Sequence, residues 1–180
     1  VLLNPPGRDR LFTNIHTLQE AGAVQIVGNN LEGYISSGPC LSIPTLLTAT
    51  GDTFLADPNA LLVEAFGNAT LLVRCDSLEE LIQCVPHIHG SLAASIYSAK
   101  NHRDEIAFQQ VIPFLTKQAG RIVENRMTTG MAVVPPMQHG GPWPSAAPPF
   151  YSAVGMPWTI LRYARRICFD GWSQEHLPDC

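Results

Sequence analysis

The amino-acid sequence predicts an α/β fold built on a parallel sheet, and three observations carry that expectation. Strand-like runs at 69–75, 91–98 and 120–125 alternate with two helical stretches, an order that implies two right-handed crossovers. Hydrophobic residues make up 46% of the 180-residue chain, enough to expect a packed core rather than disorder. Charged residues make up only 14%, against about 25% in a free-standing domain, so a partner or further chain is expected to cover some surface.

From the start of the chain, Leu11, Ile15 and Leu18 recur at spacings of four and three, which predicts a helix over 8–22 closed by Gly22. VQIVG (24–28) reads as a short buried strand, and 41–50 as a turn followed by an extended segment interrupted by Pro44. TFLADPNALLVEAF reads as a loop with one short helical turn, and ATLLVRC (69–75) as a strand. The clearest helix follows: Asp76 or Ser77 can cap it, Glu79 and Glu80 occupy its first turn, and Leu78, Leu81, Ile82 and Val85 form its apolar face. A strand at 91–98 leads to a helix over 101–118, with Ile106, Val111, Phe114 and Leu115 inward and Pro113 an irregularity, then to the strand GRIVEN. From 127 to 158 the chain is rich in Pro and Gly, a long loop of the kind that lines a site or an interface. The last segment, WTILRYARRICFDG, reads as a short helix and a lone strand that needs a partner sheet, such as that of another subunit.

A net charge of −4 gives no basic patch to neutralise phosphates, so no nucleic-acid partner is expected. No apolar run reaches the roughly 18 residues a membrane-spanning helix needs, and no membrane partner is expected either. Five scattered cysteines do not form an even, dense disulfide framework, so reduced thiols and a cytoplasmic location are expected. Cys40 has no basic neighbour in sequence to activate it and reads as a structural or exposed thiol. Cys84, His87 and His89 form a C-x-x-H-x-H pattern without an evident fourth ligand, and read as helix-end residues rather than a metal site. Asn68-Ala69-Thr70 matches a glycosylation pattern, but its place beside a buried strand argues against modification. Arg162, Arg165 and Arg166 read as a solvated helix end.

One stretch does not fit a plain core. In LLVEAFGNATLLVRC (61–75) a single acid, Glu64, interrupts an apolar run just before Phe66 and Gly67. It is either a polar residue at a helix end or a carboxylate held over a pocket. Glu64, Phe66 and Gly67 resemble the E-x-F-G motif of the aldehyde dehydrogenase superfamily. As in that family, a strand, the acidic helix CDSLEEL, a strand, a helix and a strand ending in Asn125 follow. HGGP at 139–142 and SAVG at 152–155 match the loop beyond that asparagine. HGGPWP, SLEEL and RYARRICFD together most resemble the α-ketoglutaric semialdehyde (2,5-dioxovalerate) dehydrogenase branch. The similarity runs from about residue 10 onward.

The resemblance implies NAD(P)-dependent oxidation of an aldehyde, including an acidic semialdehyde, to a carboxylic acid. A thiolate attacks the aldehyde, hydride passes to the nicotinamide, and activated water hydrolyses the thioester. It gives Glu64 the hydroxyls of the nicotinamide-side ribose and Phe66 the same end of the cofactor, with Gly67 letting the backbone turn closely beneath the ring. It places Asn125, His139 and Gly140 at the substrate pocket. For His139 the alternative is a role in ordering its loop through hydrogen bonds. In the family the nucleophilic cysteine, the general-base glutamate and the nucleotide-binding domain lie upstream of E-x-F-G. The chain is therefore expected to hold no catalytic residue and to bind NAD or NADP only with a missing upstream domain. The expected division is 1–160 as the C-terminal portion of the catalytic domain and 161–180 as an oligomerisation strand and tail, the whole a homo-oligomer acting on a small aldehyde.

Three departures from the family pattern keep a second expectation open. Asn68 replaces a proline, Arg-Met-Thr-Thr-Gly (126–130) replaces Gly-Phe-Pro-Thr-Gly, and Ala-Pro-Pro-Phe (147–150) replaces Ser-Asp-Ser-Arg. These favour a non-catalytic remnant acting as a structural or oligomerising protein.

Overall fold

A computed structural model describes residues 2–28, 40–146, 149–152, 154–155 and 158–178. Part of the 147–150 departure, Ala153 of SAVG, and Cys180 lie outside these residues. Helix α1 (Pro5–Glu20) starts earlier than its apolar spacing suggests. The Asn4 side chain accepts the Gly7 N–H at 2.8 Å, and two prolines occupy the first turn, where no N–H is needed. Its predicted face is the buried one: Leu11, Ile15 and Leu18. Gly22, at φ +99°, then turns the chain into β1 (Val24–Val27).

Strand β1 runs antiparallel to β2 (Thr45–Thr50), which runs parallel to β3 (Ala69–Arg74), giving the order β1-β2-β3. Central β2 buries Thr45, Leu47 and Ala49 on one face. Leu47 and Ala49 meet Leu11, Ile15 and Leu18 of α1 and Phe54 and Leu61 of the following helices in one core. The expectation of a buried β1 is corrected: Val24, Ile26 and Val27 are exposed, because β1 is an edge strand that no other described element covers.

Between β2 and β3 the chain forms two short helices, α2 (Gly51–Ala56) and α3 (Pro58–Leu61), rather than a loop with one helical turn. Thr50 caps the first by accepting the Thr53 N–H at 3.2 Å, and Asp57 caps the second by accepting the Ala60 N–H at 3.2 Å. Those local bonds carry the parallel crossover.

Helix α4 (Leu78–Cys84) has a reciprocal N-terminal cap. Ser77 Oγ accepts the Glu80 N–H at 3.1 Å, and the Glu80 carboxylate accepts the Asp76 N–H at 2.6 Å. Cys84 and Val85 are buried, Leu78 and Ile82 half-buried, and Leu81 is exposed. Replacing Ser77 by alanine is expected to cost about 1 kcal/mol; a lowered urea midpoint with an unchanged slope would read it out, and an unchanged midpoint would refute the cap.

Strands β4 (Ala94–Ile96) and β5 (Ile122–Glu124) pair in parallel across helix α5 (Glu105–Gln118). They form a sheet of their own, so β3 and β4 are not ladder neighbours, and the expected single sheet from 69 to 125 is divided. Consecutive strands are adjacent only about two-thirds of the time. Helix α5 begins at Glu105 because 99–104 is a turn in which Asp104 accepts the Ala99 N–H at 2.8 Å and His102 adopts φ +56°. The helix continues through Pro113. Val111 is buried and Phe114 and Leu115 are half-buried, but Ile106 is 77% exposed in a first turn that no described element covers. Beyond the long loop, short 3-10 turns occupy Pro149–Ser152 and Trp158–Arg162. Residues 164–170 carry neither helix nor strand, since a lone extended segment has no ladder partner among the described residues.

Cys84, 5% exposed, has its thiol pushed up from 9.0 to about 11, first by burial and then by the hydrogen bond with Cys75. The folded chain keeps this proton where the unfolded chain has released it. The stability linked to it is complete below about pH 9 and is lost as pH rises towards 11. The stability gap between the parent chain and Cys84→Ala should therefore narrow over that window in urea titrations; a constant gap would contradict it.

Candidate functional site

Glu64 lies beyond the end of α3, so it is not a helix-end residue. Its backbone carbonyl accepts the Asn14 side-chain amide at 2.7 Å and the Phe66 N–H at 3.1 Å, which pins the turn to α1. The Glu64 carboxylate is exposed and has no hydrogen bond or ion pair among the described residues. The Phe66 ring beside it is 80% exposed. Together they border a cleft of about 420 Å³.

Gly67 lies in a turn spanning Phe66 to Asn68, and it has a packing role besides. A Cβ there would lie 2.8 Å from Leu11 Cδ2 and 3.3 Å from Leu2 Cδ2, so glycine lets the motif pack onto α1. Asn68, the departure from proline, is held by Ser42: its carbonyl oxygen accepts the Ser42 hydroxyl at 2.6 Å and its amide donates to the Ser42 carbonyl at 3.2 Å. The motif's backbone is fixed on both sides while its acid and ring are left uncovered.

A second cleft, of about 800 Å³, brings Glu64 together with His139, His89, Arg121, Thr128 and Thr129. His139 reaches it because its N–H donates to the Ser152 carbonyl at 2.9 Å, fastening the loop. Gly140 is buried, and a Cβ there would lie 2.5 Å from Ser152 Cβ and 3.0 Å from Ala146 Cβ, so it supports the loop without lining the cleft.

Asn125 stands apart. At φ +53° it closes the ends of β4 and β5, accepting the Ser98 N–H at 2.9 Å and donating to Ser98 Oγ at 3.1 Å, and it lines neither cleft.

Arg121 was not singled out by sequence, where it reads as part of a strand. Its guanidinium donates to the Gly130 carbonyl at 2.7 Å and to the Thr128 carbonyl, while its buried Nε has no partner. It thereby holds the altered 126–130 stretch as a cleft wall. The sequence signal is a cation directly after Gly120 and before the apolar pair Ile122 and Val123.

The remaining candidates do not converge. Cys84 faces Cys75, and His89 Nε2 lies 3.2 Å from Asn59 Oδ1, so C-x-x-H-x-H gathers no ligand set. Among the described residues there is no group of three or more metal-ligating side chains. Cys40 lines neither cleft. Arg162 Nε donates to the Tyr151 carbonyl at 2.6 Å, and Arg165 and Arg166 are exposed. No described helix is long and apolar enough to cross a membrane.

No protein-family model matches the chain. An α-ketoglutaric semialdehyde dehydrogenase 2 of Azospirillum brasilense is 31% identical over 162 residues, which are 90% of this chain and 30% of that protein. The chain belongs to the aldehyde dehydrogenase superfamily. An α-ketoglutaric semialdehyde dehydrogenase of Acinetobacter baylyi is 29% identical over 136 residues, 76% of this chain and 25% of that one. The solved NAD-dependent aldehyde dehydrogenase of Sinorhizobium meliloti shares the fold at a TM-score of 0.55 and 18% identity, over 78% of this chain and 25% of that one. The chain thus spans about three tenths or less of its aldehyde dehydrogenase relatives.

Proposed function

We propose that the chain is the C-terminal portion, residues 1–160 with a tail at 161–180, of an NAD(P)-dependent aldehyde dehydrogenase catalytic domain. Its substrate in this reading is an aldehyde that also carries an acid group, as the names of both curated relatives suggest. The observation that carries the proposal is the uncovered Glu64 carboxylate beside the uncovered Phe66 ring on a fixed backbone. An ionised carboxylate can accept two hydrogen bonds from a vicinal diol, which fits a ribose, and the exposed ring offers apolar surface next to it. NAD or NADP, when bound, supplies the hydride acceptor. Glu64 would orient the ribose and Phe66 would shield the same end from water. Arg121 would hold the 128–130 wall, and His139 would order its loop at the cleft rim. Asn125 and Gly140 would support the substrate side indirectly, through the strand ends and the loop.

The nucleophilic thiol and the general base belong, in this reading, to the rest of a longer polypeptide, since the chain spans 30% of the A. brasilense relative. The tail supports homo-oligomer assembly. Tyr163, Ile167 and Trp172 are more than half exposed, and the Phe169 and Trp172 rings meet edge-on at 5.1 Å, leaving an apolar strip for a partner subunit's sheet. The four cysteines among the described residues are free thiols, which supports a reducing, cytoplasmic setting.

The altered 126–130 wall favours a second reading, a non-catalytic remnant that assembles through the same tail. NADH or NADPH formation separates the two. The native polypeptide should reduce one of the cofactors with an acidic semialdehyde, and the 180-residue chain alone should not. A native polypeptide that forms stable oligomers but neither binds nor reduces a cofactor would establish the remnant.

A further inference from the structure

We propose that Cys75 and Cys84 are a redox pair that closes a reversible intrachain disulfide between the end of β3 and the end of α4. The inference does not depend on the aldehyde dehydrogenase activity. In the reduced chain the two Sγ atoms face each other at 3.9 Å, close enough for an S–H···S contact. A disulfide needs about 2.05 Å, so the sulfurs must close by roughly 2 Å, a distance that small side-chain rotations and a slight shift of the helix end can supply. The other described cysteines, Cys40 and Cys168, are not paired with either. Both thiols also line one apolar cleft of about 470 Å³ whose wall includes Glu64. The disulfide would therefore stiffen a wall of the space that the motif carboxylate borders.

The burial of the two residues sets the order of reaction. Cys75 is half-buried and Cys84 is buried with its thiol pushed up to about 11 by that burial and by Cys75, so Cys75 reacts first and Cys84 resolves. The oxidant is a low-mass disulfide such as oxidised glutathione. Cys75 loses its proton to solvent and attacks one oxidant sulfur, breaking the S–S bond and expelling one thiolate, which leaves a mixed disulfide on Cys75. Cys84 then loses its proton and attacks Cys75 Sγ, expelling the second thiolate. The two protein thiols are oxidised by two electrons, the oxidant is reduced to two thiols, and the two protons released are taken up by the two leaving thiolates.

The test uses the native folded polypeptide with oxidised glutathione and reads its peptides by mass spectrometry under non-reducing conditions. Trypsin leaves both cysteines in one peptide, but cleavage after Glu79 or Glu80 lies between them. The expected result is a peptide of residues 75–100 lighter by two hydrogens, whose two halves stay joined after that cleavage and separate on reduction. The melting temperature should rise on oxidation and return with dithiothreitol. Cys75→Ser and Cys84→Ser should abolish both effects, whereas Cys40→Ser and Cys168→Ser should leave them intact. Because the mapping is done on the parent chain, a misfolded variant does not remove the test. A product that stops at glutathionylated Cys75, dimers linked through Cys168, or closure only in denaturant would each overturn the proposal.

Discussion

Replacing Glu64 by glutamine should raise the KM for the nicotinamide cofactor about 10- to 100-fold in the native polypeptide and leave the melting temperature of the 180-residue chain unchanged. The carboxylate is solvent-exposed and has no partner among the described residues, so folding does not use it. A surface substitution of this kind shifts stability by less than about 0.5 kcal/mol. A hydrogen bond to a charged group contributes about 1.5–3 kcal/mol, and each 1.4 kcal/mol is a factor of ten in affinity. Glutamine keeps the length and one acceptor but loses the charge and the symmetric two-oxygen geometry a diol needs. Steady-state kinetics with varied cofactor would measure the effect. An unchanged KM would remove Glu64 from the cofactor contact, and a lowered melting temperature would show that the acid is structural.

The largest stability loss is expected at Leu47. This residue is 0% exposed at the centre of β2, between β1 and β3 and within the core that α1, α2 and α3 share. Its partners across the sheet are Gln25 on one side and Leu71 on the other. Truncation to alanine leaves a cavity that elements fixed on both sides cannot collapse into. A loss of about 3 kcal/mol is expected, within the range of roughly 2–5 for buried leucines. Urea unfolding followed by circular dichroism measures it, with Leu81→Ala as a control, since Leu81 is 37% exposed and should cost well under half as much. Equal losses at the two positions would contradict the placement of the core on β2.

The parts of the fold governed by local rules were legible in the sequence. The spacing of Leu11, Ile15 and Leu18 located the buried face of α1, and Ser77 with Glu80 located the start of α4, because periodicity and capping act within a few residues. What depended on neighbours was not. VQIV is as apolar as a central strand but occupies an edge, and a run of side chains cannot report whether a second strand or layer covers it. Ile106 fits a helical stripe yet lies in a first helical turn that no described element covers, and the pairing of β4 with β5 rather than β3 is a tertiary choice.

The site divides in the same way. The motif Glu64-Ala65-Phe66-Gly67 can be read directly from the chain, but its meeting with His139 in one cleft depends on how a distant loop folds back. Arg121 carries no sequence signature of its role, which depends on two backbone carbonyls, at Thr128 and Gly130, whose approach no residue type announces. Asn125 is expected at the pocket by resemblance alone, and the left-handed backbone and bonds to Ser98 that place it at the strand ends carry no sequence signal.

The central proposal is that these residues are one piece of a larger aldehyde dehydrogenase, completing a site whose nucleophile lies elsewhere in the same polypeptide. The intact mass of the native protein tests this most directly. The account predicts a polypeptide well above the 19.6 kDa of these residues, carrying an upstream cysteine and a nucleotide-binding domain. A native protein of 19.6 kDa would contradict it.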